Sequence, residues 1–270
     1  RPGAKHICYC HTPTRYLWSD ANTYTEELRQ NIFIKKFLPI MLTQLRLWDY
    51  VAAQRVDHFI ANSDFVAQRI KNYYGKDSTV IYPPVDVGGK KPSFTNKNYY
   101  LILGRLKAYK RVDVAIEAFN ELGIPLVVAG VGEEQRRLKR LAKKNIHFTG
   151  AVSEEDKNEL IKNCIALIQP QEEDFGITAV EAMAFGKPVV AYKGGGFLET
   201  IKEGITGTFF DEQTWEALAH TIIRFRPEEF DANAICEYAQ RFSTKRFLEE
   251  IDAFAKSVMN EKKLPTMKLL

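Results

Sequence analysis

The residues of this 270-residue chain that could do chemistry fall in three short loops. The first is Gly104-Arg105-Leu-Lys-Ala-Tyr-Lys110-Arg111. It offers a forked guanidinium and a point-charged ammonium, a pair suited to a diphosphate that must be held and then stabilised as it leaves. Gly104 lets the backbone approach a ligand closely. Alone, this loop reads equally well as a solvated basic turn. The second loop is Gln171-Glu-Glu173-Asp-Phe175-Gly176-Ile177-Thr-Ala-Val-Glu181. Its glycine bares backbone N–H groups at a helix start, which attracts anions. Glu181 falls about one turn inside that helix and leans back toward its start. A carboxylate there can take both hydroxyls of a ribose, as acidic residues do in dinucleotide folds. Glu173 lies ahead of the helix, within reach of sugar hydroxyls. Helix capping competes as an explanation, because acids near a helix N-terminus are stabilising. It explains one acid and leaves the Glu-Glu-Asp-Phe-Gly run unexplained. The third loop, Lys193-Gly-Gly-Gly196-Phe-Leu-Glu-Thr200, lets the backbone pass close to a ligand, although a glycine run alone says little.

Each loop must be carried by a strand and feed a helix. The chain from residue 99 supplies this in a regular alternation. Strands are predicted at 99–103, 125–129, 146–148, 164–168, 188–191 and 207–210. Helices are predicted at 112–122, 133–143, 154–162 and 177–185, with further helices after 212. Such alternation makes a doubly wound parallel sheet, whose ligands sit at the carboxyl ends of the strands. Upstream, strands are predicted at 6–10, 57–61 and 79–82. His11-Thr-Pro-Thr reads as a turn. Ser63 and Gly75 read as N-cap and C-terminal stop of one helix. Residues 24–56 show helical periodicity through Ile32, Phe33, Phe37, Leu38, Met41, Leu45 and Trp48, and Pro39 is predicted to split them into two helices. The polar, Gly/Lys/Pro-rich stretch 85–98 reads as the domain boundary.

Hydrophobic residues make up 45% of the chain and the net charge is +4. The first figure allows one large or two modest α/β domains. The second tolerates phosphate ligands, and without any block of like charges it gives nucleic acid no support as a partner. Cys8, Cys10, Cys164 and Cys236 have no zinc spacing and read as free thiols of a cytoplasmic protein. No apolar run nears the ~20 residues needed to span a bilayer.

The Glu173-x7-Glu181 spacing inside EEDFGITAVEAMAFGKPVVA resembles the E-x7-E motif of retaining GT-B glycosyltransferases, the glycosyl transferase group 1 family. GRLKAYKRVDVAIEAF (104–119) is similar to that family's phosphate loop and following helix, and KGGGFLETIKEGITGTFF (193–210) to its next segment. YCHTPTRYLW (9–18), RVDHFIANSDFVAQRIKNYYG (55–75) and VIYPPVD (80–86) look like the mannosyltransferase branch that builds bacterial O-antigen and lipopolysaccharide. The resemblance covers nearly the whole chain. It implies two Rossmann-like domains and transfer of a hexose with retention, by front-side attack. The implied donor is a nucleotide sugar, GDP-mannose first and a UDP-sugar second, with no obligatory cofactor or metal. The implied acceptor is a lipid-linked saccharide, reached from the cytoplasm or the inner face of the plasma membrane. Residue by residue, Arg105 and Lys110 hold the diphosphate beside Gly104. Glu181 binds ribose. Glu173 grips the sugar with the backbone near Phe175, Gly176 and Ile177. Val152 lies near the base. His11, which alone reads as structural, faces the sugar.

The family's N-terminal domain is larger than the stretch preceding the boundary here. The resemblance therefore divides the chain into an incomplete acceptor-side domain (1–85), a linker (86–98), a nucleotide-sugar domain (99–242) and a C-terminal helix returning to the first domain (243–270). A truncated, non-catalytic nucleotide-sugar-binding module stays open as an alternative, as does another GT-B enzyme such as an epimerase or phosphorylase. Residues 29–48 mix Arg29, Lys35 and Lys36 with apolar residues. They read as core and domain wall, or else as a membrane-surface helix.

Overall fold

The computed structural model describes residues 4–19 and 32–260. They divide into two compact units, one of residues 1–82 and 247–270 and the other of residues 83–246.

The smaller unit holds a three-stranded parallel sheet in the order β1 (Ile7–Cys10), β2 (His58–Ala61), β3 (Ser78–Val80). Between β1 and β2 runs helix α1 (Ile32–Gln54), and between β2 and β3 helix α2 (Asp64–Tyr74). The α2 ends are those read from sequence: Ser63 Oγ accepts from Val66 N–H, and Gly75 closes the helix at φ +67°. Helix α1 corrects one expectation, since it passes through Pro39 unbroken. A proline inside a helix deletes one backbone hydrogen bond, and packing elsewhere can outweigh that loss. Leu42 and Ala53 are buried, the Arg46 guanidinium donates to Leu17 O, and Asp49 accepts from Trp18 Nε1 and Tyr74 OH at 2.8 Å each. The opposite face of α1 is bare, with Ile40, Leu47 and Trp48 exposed by 62%, 59% and 69%. The expected helix start at 24, Arg29, the side chains of Ile32, Phe33, Lys35, Lys36 and Phe37, and residues 261–270 lie outside what the structure describes.

The larger unit is a six-stranded parallel sheet. Its strands are β4 (Tyr100–Leu103), β5 (Leu126–Ala129), β6 (Ile146–Gly150), β7 (Leu167–Gln169), β8 (Val189–Tyr192) and β9 (Gly207–Phe210). The crossovers are α3 (Val112–Leu122), α4 (Gln135–Leu141), α5 (Glu154–Asn163), α6 (Ile177–Ala184) and the single turn α7 (Phe197–Thr200). After β9 come α8 (Trp215–Arg224) and α9 (Ala232–Ala239), and α10 (Thr244–Asn260) follows, belonging from Phe247 onward to the smaller unit. The central strands β4, β7 and β8 are short, largely aliphatic runs buried on both faces, as parallel strands covered by helices must be. Leu101, Val128, Leu167 and Val190 are fully buried, and Phe119 of α3 packs edge-to-face on Tyr100 at 5.2 Å.

The stretch 85–98 forms no helix or strand, yet it is tied down. Val85 N–H donates to Phe242 O, Ser93 N–H to Phe185 O and Lys97 N–H to Asn163 O, each at 2.9 Å. The buried Lys187 ammonium donates to Thr95 O at 2.6 Å. At the far edge of the sheet, residues 203–206 fold back over β9. Gly204 N–H reaches Gly207 O at 2.9 Å. The Glu203 carboxylate accepts from Phe209 N–H at 3.2 Å and Thr208 Oγ1 at 2.7 Å.

Burial pushes the Cys164 thiol up from 9.0 to about 12, and the Tyr99 hydroxyl from 10.0 to about 12. Acids that stay neutral in the folded protein past their unfolded pKa add stability that is whole below the unfolded value and lost as pH rises through the folded one. Urea unfolding of Cys164→Ala should therefore show a shallower loss of stability than the parent chain between pH 9 and pH 12. An unchanged slope would mean that the thiol does not contribute.

Candidate nucleotide-sugar site

The sheet order is β6-β5-β4-β7-β8-β9. From β4 the chain winds one way to β5 and β6, and from β7 it winds the other way to β8 and β9. The loops after β4 and β7 therefore part, leaving a crevice at the carboxyl ends of those two strands, where open α/β sheets hold their ligands. These are the first two loops of the sequence reading.

The loop after β4 is held by its neighbour. Gly104 N–H donates to Ala129 O and Leu106 N–H to Val131 O, both at 3.0 Å. Gly130 stands so close that a Cβ there would lie 1.9 Å from Gly104 O. Lys110 ends a 3-10 turn (Ala108–Lys110), and Arg111 follows at φ +48°, anchored by its guanidinium to Gln213 O at 3.2 Å. A non-glycine residue in the left-handed region is uncommon and persists where its surroundings hold it.

The loop after β7 delivers the acids. Glu173 accepts from the Lys110 ammonium, which also lies 5.2 Å from the Tyr109 ring centroid. The Glu173 Oε1 also accepts from Gln171 Nε2 at 3.0 Å, and the same amide donates to Gln169 Oε1 at 2.6 Å. Gly176 begins α6 at φ +92°, and a Cβ there would meet the Phe197 ring at 2.5 Å. Phe175 is buried edge-on against Phe242 at 5.4 Å, while Ile177 is exposed at the first helical position. Glu181, one turn into α6, pairs with Lys157 of α5 at 2.7 Å, and neither side chain exceeds 19% exposure.

The third loop meets the second backbone to backbone. Gly196 N–H donates to Glu173 O at 2.7 Å, and a Cβ on Gly196 would fall 2.4 Å from Asp174 O. The glycine run thus lets the two loops close on each other, a reason the sequence reading did not give.

The structure brings Lys110, Glu173, Gly176 and Glu181 to one end of the sheet. Arg105 is exposed on the loop after β4, and among the described residues its guanidinium has no hydrogen-bond or ion-pair partner. Val152 is half-buried ahead of Ser153, the N-cap of α5. His11 stands exposed at the end of β1 in the smaller unit, its ring edge-on to Tyr9 at 5.3 Å. Gln171, Tyr109, Gly130 and Lys157 also belong to the site, and no motif in the sequence assigns them a role there. Helical spacing could have paired Lys157 with Glu154 three residues away, but the contact to Glu181 bridges 24 residues. Burial works against the Lys157 ammonium, and hydrogen bonds to Glu154 and Glu181 outweigh it, so its pKa stands above the ordinary value. Among the described residues no group of three or more His, Cys, Asp or Glu could hold a metal ion.

Residues 89–243 match the family described as Glycosyl transferases group 1, and residues 1–88 match Glycosyltransferase Family 4. The D-rhamnosyltransferase WbpZ of Pseudomonas aeruginosa is 26% identical over 62% of this chain and 47% of its own. The O-antigen chain mannosyltransferase C of Escherichia coli is 24% identical over 86% and 66%. The alpha-1,3/1,6-mannosyltransferase ALG2 of Dictyostelium discoideum is 29% identical over 76% and 58%. The chain therefore spans about half to two thirds of these relatives. Among solved structures, Anabaena Alr3699/HepE in complex with UDP and glucose superposes with a TM-score of 0.66 at 23% identity, covering 81% of this chain and 67% of that one. The sucrose-phosphate synthase of Thermosynechococcus elongatus gives 0.74 at 18% identity, covering 94% and 67%. These neighbours are GT-B proteins, and the chain shares their α/β fold with parallel sheets.

The contact between Gly130 and Gly104 yields a stability prediction. Gly130→Ala should lower the unfolding free energy by at least 1–3 kcal/mol, the order of cost of a strained backbone. Gly88→Ala, whose Cβ meets nothing within 4 Å, should be neutral in the same urea titration.

Proposed function

We propose, for a chain that belongs to the glycosyl transferases group 1 family, that the crevice between β4 and β7 binds a nucleotide sugar and that the protein transfers its hexose to a saccharide acceptor. The observation carrying this reading is the meeting of Lys110 with Glu173 where the two loops part, with Glu181 one turn further along α6. Within the crevice the two charges satisfy each other. A donor would take both: its diphosphate the ammonium, its sugar hydroxyls the carboxylate. Arg105 has a cation to offer the same diphosphate without breaking any contact.

The donor proposed is GDP-mannose, and a UDP-sugar is the second choice. Two of the relatives above are mannosyltransferases by name and the third a D-rhamnosyltransferase. D-rhamnose is 6-deoxy-D-mannose, so these names share the manno configuration. HepE supports a UDP donor. Val152 is assigned to the neighbourhood of the base, Glu181 to the ribose, and Glu173 to the sugar together with the backbone at Phe175, Gly176 and Ile177. For His11 the proposed role is the one the resemblance implies, to face the sugar.

The reaction needs little beyond electrostatics. In the proposed retaining, front-side mechanism the acceptor hydroxyl attacks the anomeric carbon on the face from which the diphosphate departs, and its proton passes to the departing phosphate oxygen as the C–O bond to the diphosphate breaks. The negative charge building on the leaving oxygen is met by Arg105, Lys110 and the first amides of α6. Such fixed donors cost no reorganisation during the reaction. The E-x7-E pair Glu173 and Glu181 holds the two ends of the donor, and the chemistry passes between them.

The acceptor proposed is a lipid-linked saccharide of O-antigen or lipopolysaccharide type, met at the inner face of the plasma membrane. No helix among the described residues is long and apolar enough to cross a membrane. The outward apolar face of α1 is the surface offered for peripheral contact. Co-sedimentation with anionic liposomes tests this contact, and protein left wholly in the supernatant removes it.

Lys110→Ala and Arg105→Ala should each remove ~2–4 kcal/mol of transition-state stabilisation, the range of a lost oxyanion donor. The assay is release of GDP from GDP-mannose, with and without a lipid-linked saccharide fraction. Turnover unaffected by Lys110→Ala would overturn the assignment. Donor binding without acceptor-dependent release would identify the chain as a non-catalytic nucleotide-sugar-binding module.

A further inference from the structure

We propose that Lys157 is a positioning residue of the nucleotide site, holding and neutralising the Glu181 carboxylate so that it can receive a ribose beside a diphosphate. The inference rests on the assignment of Glu181 to the ribose.

Lys157 stands in the first turn of α5, a turn fixed from below. Ser153 Oγ accepts from Asp156 N–H at 3.0 Å, and Ser153 O accepts from Lys157 N–H at 2.9 Å. From there the ammonium reaches two carboxylates, Glu154 at 2.6 Å and Glu181 at 2.7 Å. The two contacts differ in kind. Glu154 is 72% exposed and lies on the same helix, so water screens the pair and it contributes little. Glu181 belongs to α6, and its side chain and that of Lys157 are 19% and 16% exposed. Water screens that contact less, and it ties the two helices at the level where α6 begins.

A carboxylate has about four acceptor positions, and a lysine on Oε1 occupies one of them. The whole of Oε2 and the rest of Oε1 remain for a vicinal diol. Without Lys157, Glu181 would be an unneutralised negative charge in a crevice that must admit a negative ligand, and its side chain would lose its only hydrogen-bond partner among the described residues. The lysine is therefore suited to set both the orientation of Glu181 and the net charge that the diphosphate meets.

A bridge that merely joined α5 to α6 would also explain the contact, and paired nucleotides separate the two roles. Binding of GDP and of 2′,3′-dideoxy-GDP is measured calorimetrically on the parent chain, Lys157→Met and Lys157→Arg. The parent should favour GDP. Lys157→Met should bind GDP about tenfold more weakly, ~1.4 kcal/mol, while the dideoxy nucleotide, which meets only the bared charge, loses clearly less. Lys157→Arg, which keeps charge and donors, should recover most of the preference for GDP. Equal losses for both nucleotides would leave the lysine no part at the ribose and overturn the inference. A parent chain indifferent to the ribose hydroxyls, with the uridine pair giving the same result, would instead remove the ribose assignment itself. That failure is read from the parent alone.

Discussion

The crevice proposed to hold a diphosphate also contains two carboxylates, and much of its construction follows from that conflict. Helix N-termini and backbone amides at the ends of β4 and β7 favour negative charge. Glu173 and Glu181 would oppose it if left bare. Each has a lysine instead, Lys110 from the loop after β4 and Lys157 from the start of α5. Because both partners come from neighbouring elements, neutrality depends on the register of the sheet as well as on the second loop itself. Gln171 adds a further restraint by fixing one oxygen of Glu173 from beneath.

The precision of that arrangement comes from backbone in contact with backbone. Gly130 leaves room for Gly104 O, and Gly196 leaves room for Asp174 O. At each place a side chain would push two neighbouring loops apart. The Arg111 backbone, held at φ +48°, turns the first loop back into α3 directly after Lys110. Strain of this kind is tolerated where surrounding bonds fix it, and here the anchor is Gln213 O.

Much of this was legible in the sequence because parallel strands and their crossover helices have separate periods and clear ends. The bounds of α3 and β9 are those predicted, 112–122 and 207–210. Ser63 and Gly75 cap α2 because the chemistry of a cap is local. Pro39 misled because its effect is local too. The residues that keep α1 whole, Arg46 bonded to Leu17 O and Asp49 bonded to Trp18 and Tyr74, are far from it in sequence. The same limit applies to the site. The acids and cations were visible as types and spacings, whereas the pairing of Lys157 with Glu181 depends on how α5 lies beside α6. The glycines of the third loop were assigned to a ligand, since sequence could not show that Glu173 and Asp174 pass against them.

The outermost strand of the larger sheet raises a different question, that of self-association. An edge strand exposes a row of unpaired amides and carbonyls that can template the strand of another molecule. On β9 part of that row is already used. Gly207 O takes the Gly204 amide, and the Phe209 amide is held by the Glu203 carboxylate, which brings a negative charge to the rim. An incoming strand would have to displace its own competitor and face that charge. The turn at 203–206 therefore guards this one edge of the sheet against an added strand, while β6 forms the other edge.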